Sequence, residues 1–193
     1  MAKVYAGVGS RETPEDILEL MSELGKALCE DGWILSSGDA IGADRAFYEG
    51  ARRASNFSEA MVRIYLSRNG FWNGHEAVYV GSKPGLLDAT TFTDTYEQAK
   101  QMALEARGSF ERLSPGGIAL HTRNVFQIHG HTLQDKVKAL VYWGIPKGKG
   151  EKVHGGTNTA LQLAIKSGIE KRINLYYEEN VAAARAYLAK RAA

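Results

Sequence analysis

The chain has 193 residues, 44% of them hydrophobic and 24% charged, enough apolar content to bury an ordinary core, which excludes disorder as its default state. Its 24 basic and 22 acidic residues leave a net charge of +2, too balanced to announce a nucleic-acid protein by charge alone, although a local basic patch stays open. The single cysteine, Cys29, excludes an intramolecular disulfide and a cysteine-based zinc cage, and with no signal-peptide core and no apolar run near the roughly 20 residues of a membrane span a soluble, cytoplasmic protein is expected.

Residues 3–8 are short and apolar, as a strand buried on both faces would be. Thr13 as N-cap, Pro14 at the first helical position and Glu15 and Asp16 in the first turn predict a helix, and Ile17, Leu18, Met21, Leu24 and Leu28 give it one apolar face. Cys29 falls among these apolar residues and reads as a buried structural thiol. Residues 32–37 supply a second strand, the small and apolar residues of 43–54 a helix suited to close packing, and 61–66 a third strand. From 67 to about 94 the pattern breaks into a stretch rich in glycine and turn formers, with the exposed-looking aromatics Phe71 and Trp72. Helices around 95–107 and 119–129 precede a fourth strand at 137–143, a helix carrying Ala160, Leu161, Ala164 and Ile165, a fifth strand at 172–177 and a last helix at 179–190.

Alternating strands and helices with right-handed crossovers imply one Rossmann-like α/β domain over residues 1–193, a parallel sheet in the order 3-2-1-4-5 with helices on both faces. Ligands in such sheets bind beyond the carboxyl ends of the strands, where the order reverses between strands 1 and 4. Three glycine-bearing turns end there. They are Gly9-Ser10-Arg11 after strand 1, the run from Ser37 and Gly38 to Asp44 after strand 2, and Gly155-Gly156-Thr157-Asn158-Thr159 after strand 4. Each precedes a helix, whose first amides are unpaired and carry partial positive charge, so the three together suit an anion such as a phosphate.

Within these turns several roles stay open. Ser10 and Arg11 suit a phosphate, or are a turn residue and a surface cation. Asp44 accepts from a ribose hydroxyl or favours the helix dipole, and Thr157, Asn158 and Thr159 bond a ligand or cap their own helix. Lys147, Lys149 and Lys152 capture phosphate or are merely solvated. The histidines of 121–131 lack both helical metal-pair spacing and a carboxylate partner motif, so no metal and no cofactor are expected.

In order and spacing these motifs resemble the SLOG superfamily, which joins the DprA/Smf DNA-processing proteins and the Lonely Guy nucleotide hydrolases, and most of all its stand-alone DprA-like members. The likeness rests on "GSR" at 9–11, "SSGDAIGAD" at 36–44, "RN" at 123–124 and "GGTNTALQLA" at 155–164. It implies a Rossmann-like domain that binds nucleotides or nucleic acid through these positions, adding Arg123 and Asn124 to the site, commonly as a homodimer or higher oligomer. Gln162 stands where the hydrolases carry the glutamate of their Pro-Gly-Gly-x-Gly-Thr-x-x-Glu motif. A neutral amide cannot ionise to assist glycosidic cleavage, which leaves Asp44 as the best catalytic candidate. The expected function is therefore binding of a phosphate-containing nucleotide or nucleotide-derived ligand. The alternatives are an N-glycosidic hydrolase or transferase and a DprA-like binder of single-stranded DNA.

Overall fold

The computed structural model describes residues 2–192. Strands β1 (Lys3–Gly9), β2 (Trp33–Ser37) and β3 (Val62–Leu66) alternate with helices α1 (Glu15–Glu30) and α2 (Ala43–Arg52). A small antiparallel hairpin follows, β4 (Phe71–Trp72) with β5 (Ala77–Val78), and then strand β6 (Leu86–Asp88). Helices α3 (Thr93–Arg107) and α4 (Pro115–His129), strand β7 (Ala139–Trp143), helix α5 (Thr157–Lys166), strand β8 (Lys171–Asn174) and helix α6 (Glu178–Ala192) complete the chain. The main sheet runs β6-β3-β2-β1-β7-β8 with every pair parallel.

The predicted Rossmann-like order is present, with β7 and β8 as the fourth and fifth strands, and β6 extends it beyond β3. Successive side chains of β1 serve opposite layers, as strand geometry requires. Tyr5 joins the core that α1 and α2 cover, whereas Val4, Ala6 and Val8 join the core beneath α3, α4 and α5.

The α1 and α2 backbones approach closely because glycines face each other across the contact. A Cβ at Gly50 would lie 1.9 Å from the carbonyl oxygen of Ser22, and one at Gly25 would lie 2.4 Å from that of Phe47. Gly50→Ala therefore forces the helices apart and lowers stability by about 1–3 kcal/mol or more, read as a shifted denaturation midpoint at unchanged m-value.

Four local expectations are corrected. Thr13 is not the N-cap of α1, because Pro14 holds that place and the Thr13 hydroxyl turns back to donate to the Ser10 carbonyl at 2.7 Å. Helix α4 begins at Pro115, earlier than expected, because the Ser114 hydroxyl accepts from the Gly117 amide and caps it. The 67–94 stretch contains a hairpin and a sheet strand, and Phe71 is buried while its neighbour Trp72 is exposed, the alternation of an edge hairpin with one face on the core. The fifth strand stops at Asn174, whose side chain bonds both the Gly144 amide and the Gly144 carbonyl and turns the chain toward α6.

Candidate functional site

The turns after β1, β2 and β7 meet at one place. Gly9 packs so tightly between the other two segments that a Cβ there would lie 2.5 Å from that of Ala43 and 3.2 Å from the Trp143 carbonyl oxygen. Gly42 opens α2 at φ +97°, where a Cβ would come within 3.0 Å of the Ser10 carbonyl oxygen. The amide of Ser10 donates to the Trp143 carbonyl at 3.3 Å, fixing the first turn to β7.

Between these turns and α4 opens a cleft of about 380 Å³. Of the predicted residues, Gly9, Ser10, Arg11, Asp44, Arg123, Asn124, Gly156 and Thr157 line it. Ser37 and Gly38 do not. The Ser37 hydroxyl donates to the Gly7 carbonyl inside the sheet, and Gly38 provides the floor on which Arg123 lies, since a Cβ there would sit 1.4 Å from Arg123 Nη1. Gly155, Asn158 and Thr159 instead border a neighbouring open cleft of about 820 Å³ that also holds Lys147, Lys149, Lys152, Lys166 and Arg107. The two clefts share His121 and Gly156.

At the back of the first cleft Arg123 Nη1 and Asp44 Oδ2 form a buried ion pair at 3.4 Å, each side chain only 6% exposed. Arg123 Nη1 also donates to the Tyr65 carbonyl at 3.3 Å, while its Nε has no partner among the described residues. Burial pushes the Asp44 carboxyl upward, against the pull of Arg123 and of the Gly9 and Ala40 amides. Burial likewise lowers Arg123, with Asp44 opposing the shift. Loss of water around both charges outweighs their attraction.

The open end of the cleft is different. Ser10 accepts the Glu12 amide at 3.1 Å on its hydroxyl oxygen and keeps its own proton to donate. Arg11 is exposed and, among the described residues, has no carboxylate within ion-pair distance. Helix α5 starts at Gly156 with no side-chain cap, so Thr157, Asn158 and Thr159 do not cap it. Asn158 instead accepts the Val153 amide at 3.1 Å, and Thr159 Oγ1 shares a 2.8 Å hydrogen bond with His121 Nδ1. The amides of Asn158 and Thr159 are taken by the Gly155 and Gly156 carbonyls, and those of Gly156 and Thr157 meet no acceptor among the described residues. Asn124 donates to the Gly156 carbonyl at 3.3 Å and holds this helix start against α4.

Eight lining residues lay outside the predicted set, Gln127 and His121 among them. Gln127 is 1% exposed, lines the cleft, and has both Oε1 and Nε2 unpartnered among the described residues. With Gly117, Leu120, His121 and Asn124 it forms one stripe of α4 at helical spacing, a signal readable in the sequence once residues 115–129 are taken as a single helix.

His121, on the same stripe, is driven down to about 4 by burial and by the charges of Arg107 and Arg123. That value lies below the ordinary 6.5, so between these limits the unfolded chain binds the additional proton. The stabilisation from a neutral His121 is complete above the upper limit and is lost as pH falls toward the lower one. Burial shifts His129 in the same direction. In His121→Gln the decline of the denaturation midpoint across this pH window is correspondingly shallower.

The 67–94 stretch lines no part of the cleft. It is pinned to the turn after β2, where buried Asp39 accepts from Asn73 Nδ2 at 3.2 Å and from Lys83 Nζ at 3.4 Å. Among the described residues no group of three or more His, Cys, Asp or Glu could hold a metal ion. None of their helices is long and apolar enough to cross a membrane.

No protein-family model matches the chain, and no curated protein matches it. Among solved structures it is similar to DNA processing protein A from Helicobacter pylori, described for its single-stranded DNA binding mode. The identity is 12%, the match covers 98% of this chain and 82% of that one, and the TM-score is 0.40.

Proposed function

We propose that the cleft binds a phosphate-containing nucleotide or nucleotide-derived ligand. The observation that carries this reading is the uncapped start of α5, where among the described residues the Gly156 and Thr157 amides lack acceptors and Arg11, on the same cleft, has no ion-pair partner. A phosphate there gains the helix-terminus field and the guanidinium together. The nucleoside end lies toward the back, where the amide of Gln127 supplies both a donor and an acceptor for a base edge or ribose hydroxyl. The resemblance of the motif order to the SLOG superfamily supports the same reading.

Binding is favoured over glycosidic cleavage by the carboxylates available. Those lining the cleft are Asp44, already engaged with Arg123, and Glu12. Gln162 faces the neighbouring cleft and donates to the Glu151 carbonyl at 2.9 Å.

Calorimetric titration with AMP, ADP, ADP-ribose and inorganic phosphate tests the proposal. At least one nucleotide binds and phosphate competes with it; absence of heat with every compound overturns it. A second reading, single-stranded DNA binding, is favoured by the lysines of the neighbouring cleft, which continue from the phosphate position through Gly156. A thymidine oligonucleotide in the same panel separates the two, because its binding weakens steeply with added salt if those lysines carry a backbone.

A further inference from the structure

Helix α6 packs on the α1 side of the sheet through Val181, Ala184, Tyr187 and Leu188. Ala184 is half-buried against this core while Ala183 stays exposed, and with Val141 of β7, Ile173 of β8 and Leu24 of α1 they border a space that no side chain fills. An apolar cavity of about 370 Å³ remains. Trp33, Ala139 and Lys171, the first residues of β2, β7 and β8, line it, so it lies toward the opposite ends of the strands from the nucleotide cleft.

One lining side chain is polar and deeply buried. Tyr5 is 1% exposed, and its hydroxyl has no hydrogen-bond partner among the described residues. Its ring is held edge-on by Trp33 and Phe47, with centroids 6.4 and 6.0 Å away, and cannot swing toward a partner. Burial raises its ionisation far above the ordinary range, so the group is always an O–H donor. A buried donor left unmade is costly and rare in folded proteins. At the rim, Asp31 is already engaged by Tyr187 and Arg191, which tie the end of α6 to the end of α1.

We propose that this cavity is a second binding site, for a small, mostly apolar molecule that carries one hydrogen-bond acceptor and takes the Tyr5 proton on it. The mostly apolar walls supply affinity and the unpartnered Tyr5 hydroxyl supplies selection, the usual division in small-molecule pockets. The site is independent of the nucleotide cleft and shares no residue with it.

Acetophenone and toluene, nearly equal in shape but with and without an acceptor, are the probes, followed by saturation-transfer NMR and calorimetry on the full chain. Both bind the wild type. Tyr5→Phe weakens acetophenone about tenfold, the effect of one hydrogen bond, and leaves toluene unchanged. Ala184→Phe fills the cavity and abolishes both, with Ala184→Leu as the smaller filling should the first variant fail to fold, and Arg11→Ala changes neither. Failure of both probes to bind the wild type, equal weakening of both by Tyr5→Phe, or undiminished binding in the filled variants overturns the proposal.

Discussion

Asp44→Ala lowers folding stability by about 3–5 kcal/mol, the cost of leaving a buried charge without its partner. The variant leaves the Arg123 guanidinium buried against the Gly38 backbone, with Nε unpartnered among the described residues and the Tyr65 carbonyl as its remaining acceptor. The pair itself is not a net source of stability, since desolvation opposes it on both sides. Asp44→Ala combined with Arg123→Met therefore recovers most of the loss, because the double variant removes both charges and keeps an apolar stem of similar reach. Urea denaturation of the three variants checks this. A double variant as unstable as Asp44→Ala would mean that the guanidinium is not the source of the penalty.

Arg11→Ala behaves in the opposite way. The side chain is exposed and has no ion-pair partner among the described residues, so stability changes little, within about 0.5 kcal/mol. Nucleotide affinity falls roughly ten- to a hundredfold, since a charge-assisted hydrogen bond to phosphate is worth about 1.5–3 kcal/mol. Titration of the variant with whichever nucleotide binds the wild type measures it. Together the two variants separate the back of the cleft, where charge is structural, from its mouth, where charge is available to a ligand.

Much of this was legible in the sequence. Short apolar runs separated by helix signals pointed to β1, β2 and β3, right-handed crossovers to their order, and the glycines at 9, 42 and 156 to the turns that converge. The strand β6 was not legible, because three residues between a Pro-Gly turn and a helical turn carry no alternation to read. Gly38 reads as a phosphate-side glycine by its neighbours, yet its smallness accommodates a guanidinium arriving from α4, a contact across 85 positions of chain that no local pattern encodes. Gln127 was missed for a related reason. A glutamine on an apolar helix face has no motif of its own, and its place on the cleft-lining stripe is readable only once residues 115–129 are taken as one helix.

The proposed site puts a ligand phosphate against the first amides of α5. Backbone NMR of the labelled protein titrated with AMP tests it most directly. The largest amide shift changes are expected at Gly156 and Thr157, with smaller ones at Ser10 and Arg11, and the same pattern with inorganic phosphate. Saturable changes centred on other residues, with Gly156 and Thr157 unmoved, would contradict it.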